Sequence, residues 1–362
     1  MRLKFGSINT IVVSSPEIAQ KILQKHDNAF PGRLKTAATQ VLSRHDITVS
    51  CLPVGGKWRI LRKICREQMF SAQRLDSSRV LRREKVDKLL DYVNECCVNG
   101  RVVDIGEAAF VTSLNLISNT LFSVDFAEYK TGSSQELKGI IHGLMSVIGR
   151  FNLADYIPIL GVFDPQGIKR ESEFYMRKLI EIFDGIIDER EKSTAKKNDL
   201  LEALMEISDG NQSDQFSRND MKHLLLIPSS WSFLLRQKDE DELEINNYTI
   251  SKNSVILINI WATGRDSRTW PNPNSFEPER FLNGEIDVKG HNFELIPFGA
   301  GKRICPGLPL AHRMVHLMVA SLIQEFDWEL EPGLKSKEMD MNEKFGLSLQ
   351  KAVPLRAVPN KQ

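Results

Sequence analysis

The sequence predicts a mainly α-helical protein with a small β-sheet. Three observations support this fold class. Residues 74–98 form a long charged amphipathic stretch, and residues 108–122 are apolar on nearly every face. Residues 308–326 are also apolar nearly all round, which is typical of a helix inside a core. Strand patterns are short and occur at the start of the chain, over 243–259 and in the C-terminal tail.

Length and composition exclude several classes of protein. The chain has 362 residues, of which 41% are apolar and 26% charged, a balance typical of globular proteins. Lysine and arginine number 48 against 47 acidic residues, so the net charge of +1 argues against a nucleic-acid partner. No apolar run is long enough to span a bilayer, and the first residues do not form a signal peptide. Five irregularly spaced cysteines indicate a reducing compartment.

The first elements are predicted from turn and cap residues. Residues 3–5 and 10–13 alternate as two short strands around a Gly-Ser turn. Ser15 suits a helix N-cap and Pro16 the first helical position. The helix that follows places Ile18, Ile22 and Leu23 toward the core and ends near residues 26–27.

A basic helix is predicted over residues 57–63, after a weakly periodic stretch. Trp58 and Arg62 are four residues apart, so they share one helical face. An indole N–H and a guanidinium on one face can reach the same anion. Taken alone, the spacing favours a basic surface helix with one packed tryptophan.

Later elements follow from periodicity and from turn residues. In the helix over 74–98 the residues predicted to face inward are Val80, Val86, Leu89, Leu90 and Val93. Residues 188–192 are interpreted as a solvated helix end, and 209–214 as an exposed polar linker. Ser217 begins a capping-box helix that ends near Pro228. A Pro-rich meander covers 271–281, and residues 345–349 predict a last hairpin.

A glycine-rich turn around Cys305 organises the chemistry of the chain. Cys305 precedes a helical run, where free N–H groups and the helix dipole stabilise a negative sulfur, and Pro306 suits the first turn of that helix. Gly301 and Gly307 allow the backbone to bend and a large planar group to approach. The turn is thus well suited to a metal thiolate, which Phe298 can shield from water while Arg303 pairs with an anionic edge of the ligand.

Other interpretations of this turn are weaker. A phosphate-binding loop needs glycine where Ile296 stands and serine or threonine where Arg303 stands. An isolated cysteine before a helix would most often be a buried structural residue. The seven histidines show no metal-ligand spacing, because His312 and His316 stand alone.

The whole motif resembles the haem-binding signature of the cytochrome P-450 monooxygenases. It comprises five fixed positions in ten residues, namely Phe298, Gly301, Arg303, Cys305 and Gly307. In that family a cysteine thiolate is the proximal ligand of the iron. The resemblance implies haem b as cofactor, with Cys305 as the metal ligand and the other four positions among the cofactor-binding residues.

Two further segments support the resemblance. Trp58 and Arg62 match the family's Trp-x-x-x-Arg helix, whose side chains hold a haem propionate, so both join the predicted cofactor-binding residues. The meander around Arg280 matches the family's Pro-Glu-Arg-Phe element. The family also has a propionate-binding arginine where this chain has Gln237, one residue after Arg236. Weaker propionate anchoring is therefore predicted on that side.

Segments 293–298 and 340–346 are most similar to the plant geraniol 8-hydroxylase and ferruginol synthase group. This resemblance implies monooxygenation of a small apolar terpenoid, with O2 and electrons from NADPH-cytochrome P-450 reductase. It also implies a place on the cytosolic face of the endoplasmic reticulum membrane. The family's N-terminal anchor and Pro-rich hinge are missing from this sequence, which is interpreted as truncated at its N-terminus relative to the family, so a soluble chain is an alternative.

The family's distal helix and its Glu-x-x-Arg helix have no counterpart in the sequence. The fold is therefore predicted as an incomplete cytochrome P-450 domain over 1–362, with a deletion-like junction at 226/227. Residues 1–226 would form an N-terminal helical part and 227–362 the C-terminal haem-thiolate part. Arg280 is expected to lose its ion-pair partners. No catalytic residue is assigned, and the alternatives are a catalytically defective enzyme, a non-catalytic haem binder, or a helical interaction protein without haem.

Overall fold

The computed structural model describes residues 1–42, 48–129, 135–209, 216–225, 234–238, 242–282, 284–344 and 349–362. The α-helices are α1 (Pro16–Gln20), α2 (Ala37–Gln40), α3 (Gly56–Ile64), α4 (Ala72–Ser77), α5 (Arg79–Val98), α6 (Ile105–Phe122), α7 (Gln135–Ile148), α8 (Leu153–Tyr156), α9 (Ile168–Lys192), α10 (Leu200–Asp209), α11 (Arg218–Leu225), α12 (Ile260–Thr263) and α13 (Leu308–Glu325).

Short strands and tight helical turns complete the structure. The strands are β1 (Arg2–Phe5), β2 (Ile8–Val13), β3 (Val103–Asp104), β4 (Leu234–Gln237), β5 (Leu243–Ile245), β6 (Tyr248–Ile250), β7 (Val255–Ile258), β8 (Phe326–Leu330), β9 (Glu343–Lys344), β10 (Gln350–Lys351) and β11 (Arg356–Lys361). Segments of π-helix cover Lys21–Lys25 and Cys65–Met69, and 3₁₀ turns include Asp27–Ala29, Pro158–Val162, Pro278–Phe281 and Gly301–Arg303. The architecture is mainly helical with small sheets, as the sequence predicts.

The chain divides into two compact units. The first comprises Met1–Ile60, Met145–Phe174 and Ile227–Leu308, and the second comprises Leu61–Leu144, Tyr175–Leu226 and Pro309–Gln362. The predicted division of one domain into 1–226 and 227–362 stays a prediction, because residues 226 and 227 lie outside the described ranges.

The first unit contains a four-stranded sheet in the order β1-β2-β7-β4. Strands β1 and β2 pair antiparallel, as predicted, whereas β2 pairs parallel with β7. One face of the sheet packs against α1 and the π segment that follows it, where Ile22 and Leu23 are buried as predicted. The predicted caps of α1 are also confirmed, since the Ile18 N–H donates to Ser15 Oγ and Pro16 is the first helical residue.

The second hairpin of the first unit shows why its sequence predicts a turn. Strands β5 and β6 are joined by Asn246 and Asn247, both in the left-handed region with φ of 51° and 63°. Two such residues form the turn whose twist matches antiparallel strands. The predicted strand–turn–strand pattern over 243–259 is confirmed.

The second unit is built on α5, α6 and the sheet β3-β11-β8. Val86, Leu89 and Val93 are fully buried there, as predicted. Val80 is 78% exposed, so its predicted inward position is wrong. The helix predicted over 74–98 is broken near Ser78 into α4 and α5, and the break changes which face of the first turn meets the core.

Two helices, α9 and α13, differ from the predicted burial. The end of α9 is solvated at Asp188 and Glu189, but Arg190 is buried and bound to Asp199. Helix α13 forms as predicted and buries Met314 and Met318, yet one face is exposed, with Val315, Val319 and Ile323 at its surface. Its predicted burial on every face is therefore wrong.

Two predicted features fall partly outside the described residues. Most of the polar linker over 209–214 and residues 345–348 of the last hairpin lie there, although β9 and β10 pair on either side of the latter. Among the described residues, no helix combines the length and the apolar character that a bilayer crossing requires.

Candidate metal centre

The Cys305 loop is closed by its own backbone. The Cys305 N–H donates to the Phe298 carbonyl at 2.9 Å, and the Ile304 N–H donates to the Gly301 carbonyl at 3.1 Å. Between them lies the 3₁₀ turn Gly301–Arg303. Cys305 is a free, half-buried thiol at the end of this loop. The motif residues are therefore brought into one tight structural element.

The chain enters α13 directly after the thiol. The Leu308 N–H donates to the Cys305 carbonyl at 3.4 Å, and the helix begins at Leu308. Pro306 was expected in the first helical turn, but it lies with Gly307 in the turn before the helix, and Pro309 is the second helical residue. The thiol still lies at the positive end of an 18-residue helix, which favours its thiolate form.

Arg303 ties the loop to an earlier part of the first unit. Its side chain is buried and donates through Nη2 to the carbonyls of Pro31 and Leu52. Its guanidinium lies 5.4 Å from the centroid of the Trp58 ring, a cation–π geometry. Arg303 and Trp58, predicted separately from the sequence, thus meet in the structure.

The helical prediction for Trp58 and Arg62 is confirmed, because both lie on α3. The Trp58 indole N–H donates to the Val49 carbonyl at 3.2 Å. Arg62 is half-buried one turn later on the same helix. In this structure the indole donor is therefore held by the backbone, and binding a propionate through it would require that bond to open.

A buried carboxylate that the sequence did not single out also holds the loop. Asp27 Oδ2 accepts the Lys302 N–H at 2.6 Å, and the Lys302 ammonium donates to the side chain of Asn28. Gly301 has a φ of +70° and lies so close to the middle of the π segment that an added Cβ would be 2.0 Å from the Leu23 carbonyl oxygen. The sequence explained Gly301 by approach of a ligand; the structure adds a contact with this segment.

Several cations are buried around residues 30–33. Arg236 and Lys238 on or next to β4 are 0% and 1% exposed, and Lys238 Nζ lies 5.9 Å from the Phe30 ring centroid. Burial lowers the pKa of Arg33 to about 10. Together with Arg303 at Pro31, these side chains make this part of the first unit electropositive. Sequence reasoning missed this group, because each cation looks like an ordinary surface residue in its own segment.

The meander arginine differs from its prediction. Arg280 donates to the carbonyls of Pro271, Asn272, Ser275 and Glu277 at 2.8 to 3.2 Å, and its guanidinium pairs with the Glu277 carboxylate at 3.3 Å. The predicted loss of ion-pair partners is wrong, since the meander itself satisfies the side chain. A cleft of about 270 Å³ opens beside Arg280, lined by Trp270 and Phe276 among others but not by Cys305.

These features define a cysteine-centred loop suited to a haem iron, and comparison with known proteins identifies its family. The family model described as Cytochrome P450 matches residues 1–228 and 226–355. The chain belongs to the cytochrome P450 family. Its cofactor class is therefore haem b, in which the iron is bound by a cysteine thiolate. The predicted junction at 226/227 falls within the overlap of the two matched parts.

Curated plant relatives align with the whole chain. Cytochrome P450 76T24 from Catharanthus roseus is 44% identical and is aligned over 100% of this chain and 86% of its own length. Ferruginol synthase from Isodon rubescens is 38% identical over 99% of this chain and 87% of its own length. Carnosic acid synthase from Rosmarinus officinalis is 37% identical over 100% of this chain and 86% of its own length. The chain is thus a plant-type cytochrome P450 similar to the ferruginol synthase group.

The chain is shorter than the aligned part of these relatives. The alignment with Cytochrome P450 76T24 extends over 431 positions, whereas the chain has 362 residues, so about 69 positions have no counterpart here. The Cys305 loop fits the family's cofactor through its donor set: a half-buried thiol before a long helix, with buried cations in the same unit.

Proposed function

We propose that Cys305 is the proximal iron ligand of haem b and that the chain serves the monooxygenation of a small apolar terpenoid. The observation that carries the proposal is the closed loop from Phe298 to Cys305, which presents a half-buried cysteine, not in a disulfide, just before α13 begins. Haem b supplies the oxygen chemistry, and the chain supplies binding, orientation and electrostatics. Relatives named ferruginol synthase and carnosic acid synthase support the terpenoid class.

The residues of the first unit have distinct roles in this proposal. Cys305 binds the iron, Phe298 shields the thiolate from water, and Gly301 and Gly307 shape the loop. Arg303, which lies against the Trp58 ring, supplies positive charge beside the loop, whereas Arg62 belongs to the second unit and stays a predicted propionate-binding residue. Weaker propionate anchoring beside Gln237 stays part of the proposal, because an amide carries no charge for a carboxylate.

The electron donor proposed is NADPH-cytochrome P-450 reductase. Helix α3 carries Lys57, Arg59 and Lys63 on its exposed surface and has no acidic residue in its sequence. Such a surface suits a donor with an acidic face, because opposite charges speed association at low salt. Charge reversal at Lys57 and Arg59 should slow reductase-driven haem reduction and weaken its dependence on salt.

We further propose that the chain works at the cytosolic face of the endoplasmic reticulum membrane. Residues 151–163 contain one charged side chain and expose six large apolar ones, namely Phe151, Leu153, Ile157, Ile159, Val162 and Phe163. Exposed apolar clusters of this kind mark interaction surfaces. Val162→Asp with Phe163→Asp should reduce sedimentation with phospholipid vesicles, whereas Phe276→Asp, at an equally exposed aromatic, should not.

A second function is favoured by the chain length. About 69 positions of the relatives have no counterpart here, and the two matched parts of the family model meet at residues 226–228. The sequence prediction assigns the distal helix and the Glu-x-x-Arg helix to this gap. A chain without them would bind haem but lose reduced oxygen species to water, because its distal side would be open.

Two measurements test these proposals. The full chain, purified with haem, should show a thiolate-type Soret band when reduced under carbon monoxide. Cys305→Ala should abolish that band, whereas Cys97→Ala, at another half-buried cysteine, should retain it. With reductase, NADPH and a panel of small apolar terpenoids, hydroxylated product supports the enzyme, while NADPH consumption that yields only peroxide supports the second function. Absence of the band in the unaltered chain would contradict both.

A further inference from the structure

Asp27 is a buried carboxylate in contact with the Cys305 loop. It is 8% exposed and lies at the start of the 3₁₀ turn that follows the π segment Lys21–Lys25. Its Oδ2 accepts the backbone N–H of Lys302 at 2.6 Å, across a sequence separation of 275 residues. The distance is short for an N–H···O bond, so the two segments are held closely together at this point.

The bonded N–H belongs to the turn that carries the thiol. Lys302 is the second residue of the 3₁₀ turn Gly301–Arg303, and N–H groups at the start of a helical turn have no partner within it. A side-chain oxygen usually caps such a group from the preceding residues. Here the cap comes from Asp27 in a distant segment. The capped residue, Lys302, lies three residues before Cys305.

The fit between the two segments is close on both sides of this bond. A Cβ added to Gly301 would lie 2.9 Å from Asp27 Oδ2 and 2.0 Å from the Leu23 carbonyl oxygen. On the following residue, the Arg303 guanidinium binds the Pro31 carbonyl. Residues 301, 302 and 303 are thus each fixed against the segment 23–31, and the Ile304 N–H then closes onto Gly301.

We propose that Asp27 is a positioning residue for the Cys305 thiolate. By holding the Lys302 N–H, it fixes the 3₁₀ turn from which the chain continues to Cys305, and so sets where the sulfur lies relative to the iron. This inference rests on the proposed role of Cys305 as the ligand. The carboxylate acts through its acceptor oxygen and not through its charge, because a second negative charge near a thiolate would disfavour it.

The chain offers a matched control for the bond. Asp155, in the same unit, accepts the Ala37 backbone N–H through Oδ1 at 2.6 Å, the same distance as at Asp27. Its bond tethers α2 and not the Cys305 loop. Asp155→Ala therefore removes an equivalent interaction of the first unit without touching residues 298–305.

The experiment uses the full chain loaded with haem and reduced under carbon monoxide. We expect Asp27→Ala to lower the ratio of the thiolate-type to the neutral-thiol-type Soret band by about fivefold, the factor that corresponds to losing one ordinary hydrogen bond. Asp27→Asn keeps an acceptor oxygen and should retain most of the thiolate-type band. Asp155→Ala should leave the ratio near that of the unaltered chain.

The outcomes separate this inference from the proposed function. If the unaltered chain lacks the thiolate-type band, the ligand assignment and this inference both fail. If it has the band and Asp27→Ala keeps the same ratio, only the inference fails. Equal losses in Asp27→Ala and Asp155→Ala, or a loss in Asp27→Asn as large as in Asp27→Ala, would likewise overturn it.

A second measurement needs no haem. In the apo chain, hydrogen–deuterium exchange of the peptide covering 298–305 should be faster in Asp27→Ala than in the unaltered chain, because the Lys302 amide loses its acceptor. Asp155→Ala should leave this peptide unchanged. Unchanged exchange of the peptide in Asp27→Ala would show that the carboxylate does not hold the loop.

Discussion

The two units bury an arginine in different ways. In the second unit, Arg190 binds the Asp199 carboxylate through both Nη atoms at 2.8 and 2.7 Å. In the first unit, Arg303 binds the carbonyls of Pro31 and Leu52 and stacks on Trp58. Both side chains are nearly inaccessible to water. One guanidinium is bound to an anion of the chain, whereas the described contacts of the other are neutral dipoles and an aromatic face.

This difference indicates that Arg190 stabilises the fold, whereas Arg303 lies where a ligand is proposed to bind. A charge bound bidentately to a carboxylate contributes little positive potential to its surroundings, since the two charges largely cancel. Carbonyl oxygens and an indole face carry no net charge, so these contacts hold the Arg303 side chain without neutralising it. These contacts place the Arg303 guanidinium beside the Cys305 loop, where the proposed cofactor would bring propionates.

The largest effect is expected from breaking the carboxylate pair. Asp199→Ala removes the bidentate partner of buried Arg190 and leaves the Glu202 carboxylate at 3.6 Å, so we expect a cost of about 3 kcal/mol of unfolding free energy, the low end for breaking a buried pair. Glu206→Ala, which breaks the exposed pair with Lys196, should cost less than about 1 kcal/mol. Urea unfolding followed by circular dichroism measures both. Equal costs would show that the Arg190 site is no more demanding than the surface.

A glycine substitution tests the close approach beside Arg303. In Gly301→Ala the new Cβ clashes with the Leu23 carbonyl oxygen, and overpacking of this kind costs about 1–3 kcal/mol of unfolding free energy. The left-handed backbone at this position adds a second cost. Gly100→Ala has a similar φ, +60° against +70°, but open space around it, so it should cost only the backbone term of about 1–2 kcal/mol. The difference in urea midpoint isolates the contact. Indistinguishable variants would contradict the tight fit of the loop.

A conservative change tests whether Arg303 acts by shape or by charge alone. Arg303→Lys keeps the charge, but an ammonium cannot reproduce the planar fork that reaches two carbonyls while stacking on Trp58. We expect a loss of about 1–2 kcal/mol in unfolding free energy and a lower haem content after purification. Arg59→Lys, at an exposed site of α3, is the control. Full haem retention in Arg303→Lys would show that charge suffices.

The smallest effect is in the pH dependence of stability. Burial raises the pKa of the Asp199 carboxyl, but its bonds to Arg190 and Ser123 outweigh burial and hold the pKa below its ordinary value. Its stabilisation is therefore present above the ordinary pKa and lost as the pH falls through the lowered one. Burial raises the pKa of Asp155, so its contribution has the opposite sign and is lost as the pH rises through the raised value.

Asp199→Asn should accordingly flatten the acid limb of the stability curve, and Asp155→Asn should raise stability at neutral pH relative to acid. Thermal unfolding between pH 3 and 7 distinguishes the two slopes. Two variants that change the curve in the same direction would show that the opposed shifts are wrong.

Local features of the sequence predicted well. The Cys305 loop, the caps of α1 and the hairpin turn at Asn246 all depend on neighbouring residues, so their patterns are visible in a short window. Val80 was misplaced because the break near Ser78 resets the helical phase, and periodicity alone gives no sign of it. Asp27 had no signal, since its partner lies 275 residues away.

The prediction about the partners of Arg280 was wrong for a different reason. The sequence analysis assigned the charged partners of Arg280 to the family's missing helix. The carbonyls that bind Arg280 instead belong to residues 271–277, and no residue pattern specifies where those carbonyls point. The predicted function of the loop and the family follow from the motif. The contacts that position the loop depend on tertiary packing and could be found only in the structure.

The sequence separation between Asp27 and Lys302 also sets a minimum time before their bond can form during translation. A ribosome adds about 5–20 residues per second, so roughly 14–55 s pass between synthesis of the carboxylate and synthesis of the N–H that it binds. During that interval Asp27 remains hydrated, and the segment that will hold the thiol does not yet exist. The cysteine loop is therefore among the last parts of the first unit to assemble, and cofactor capture through Cys305 must follow the synthesis of residues 27–305.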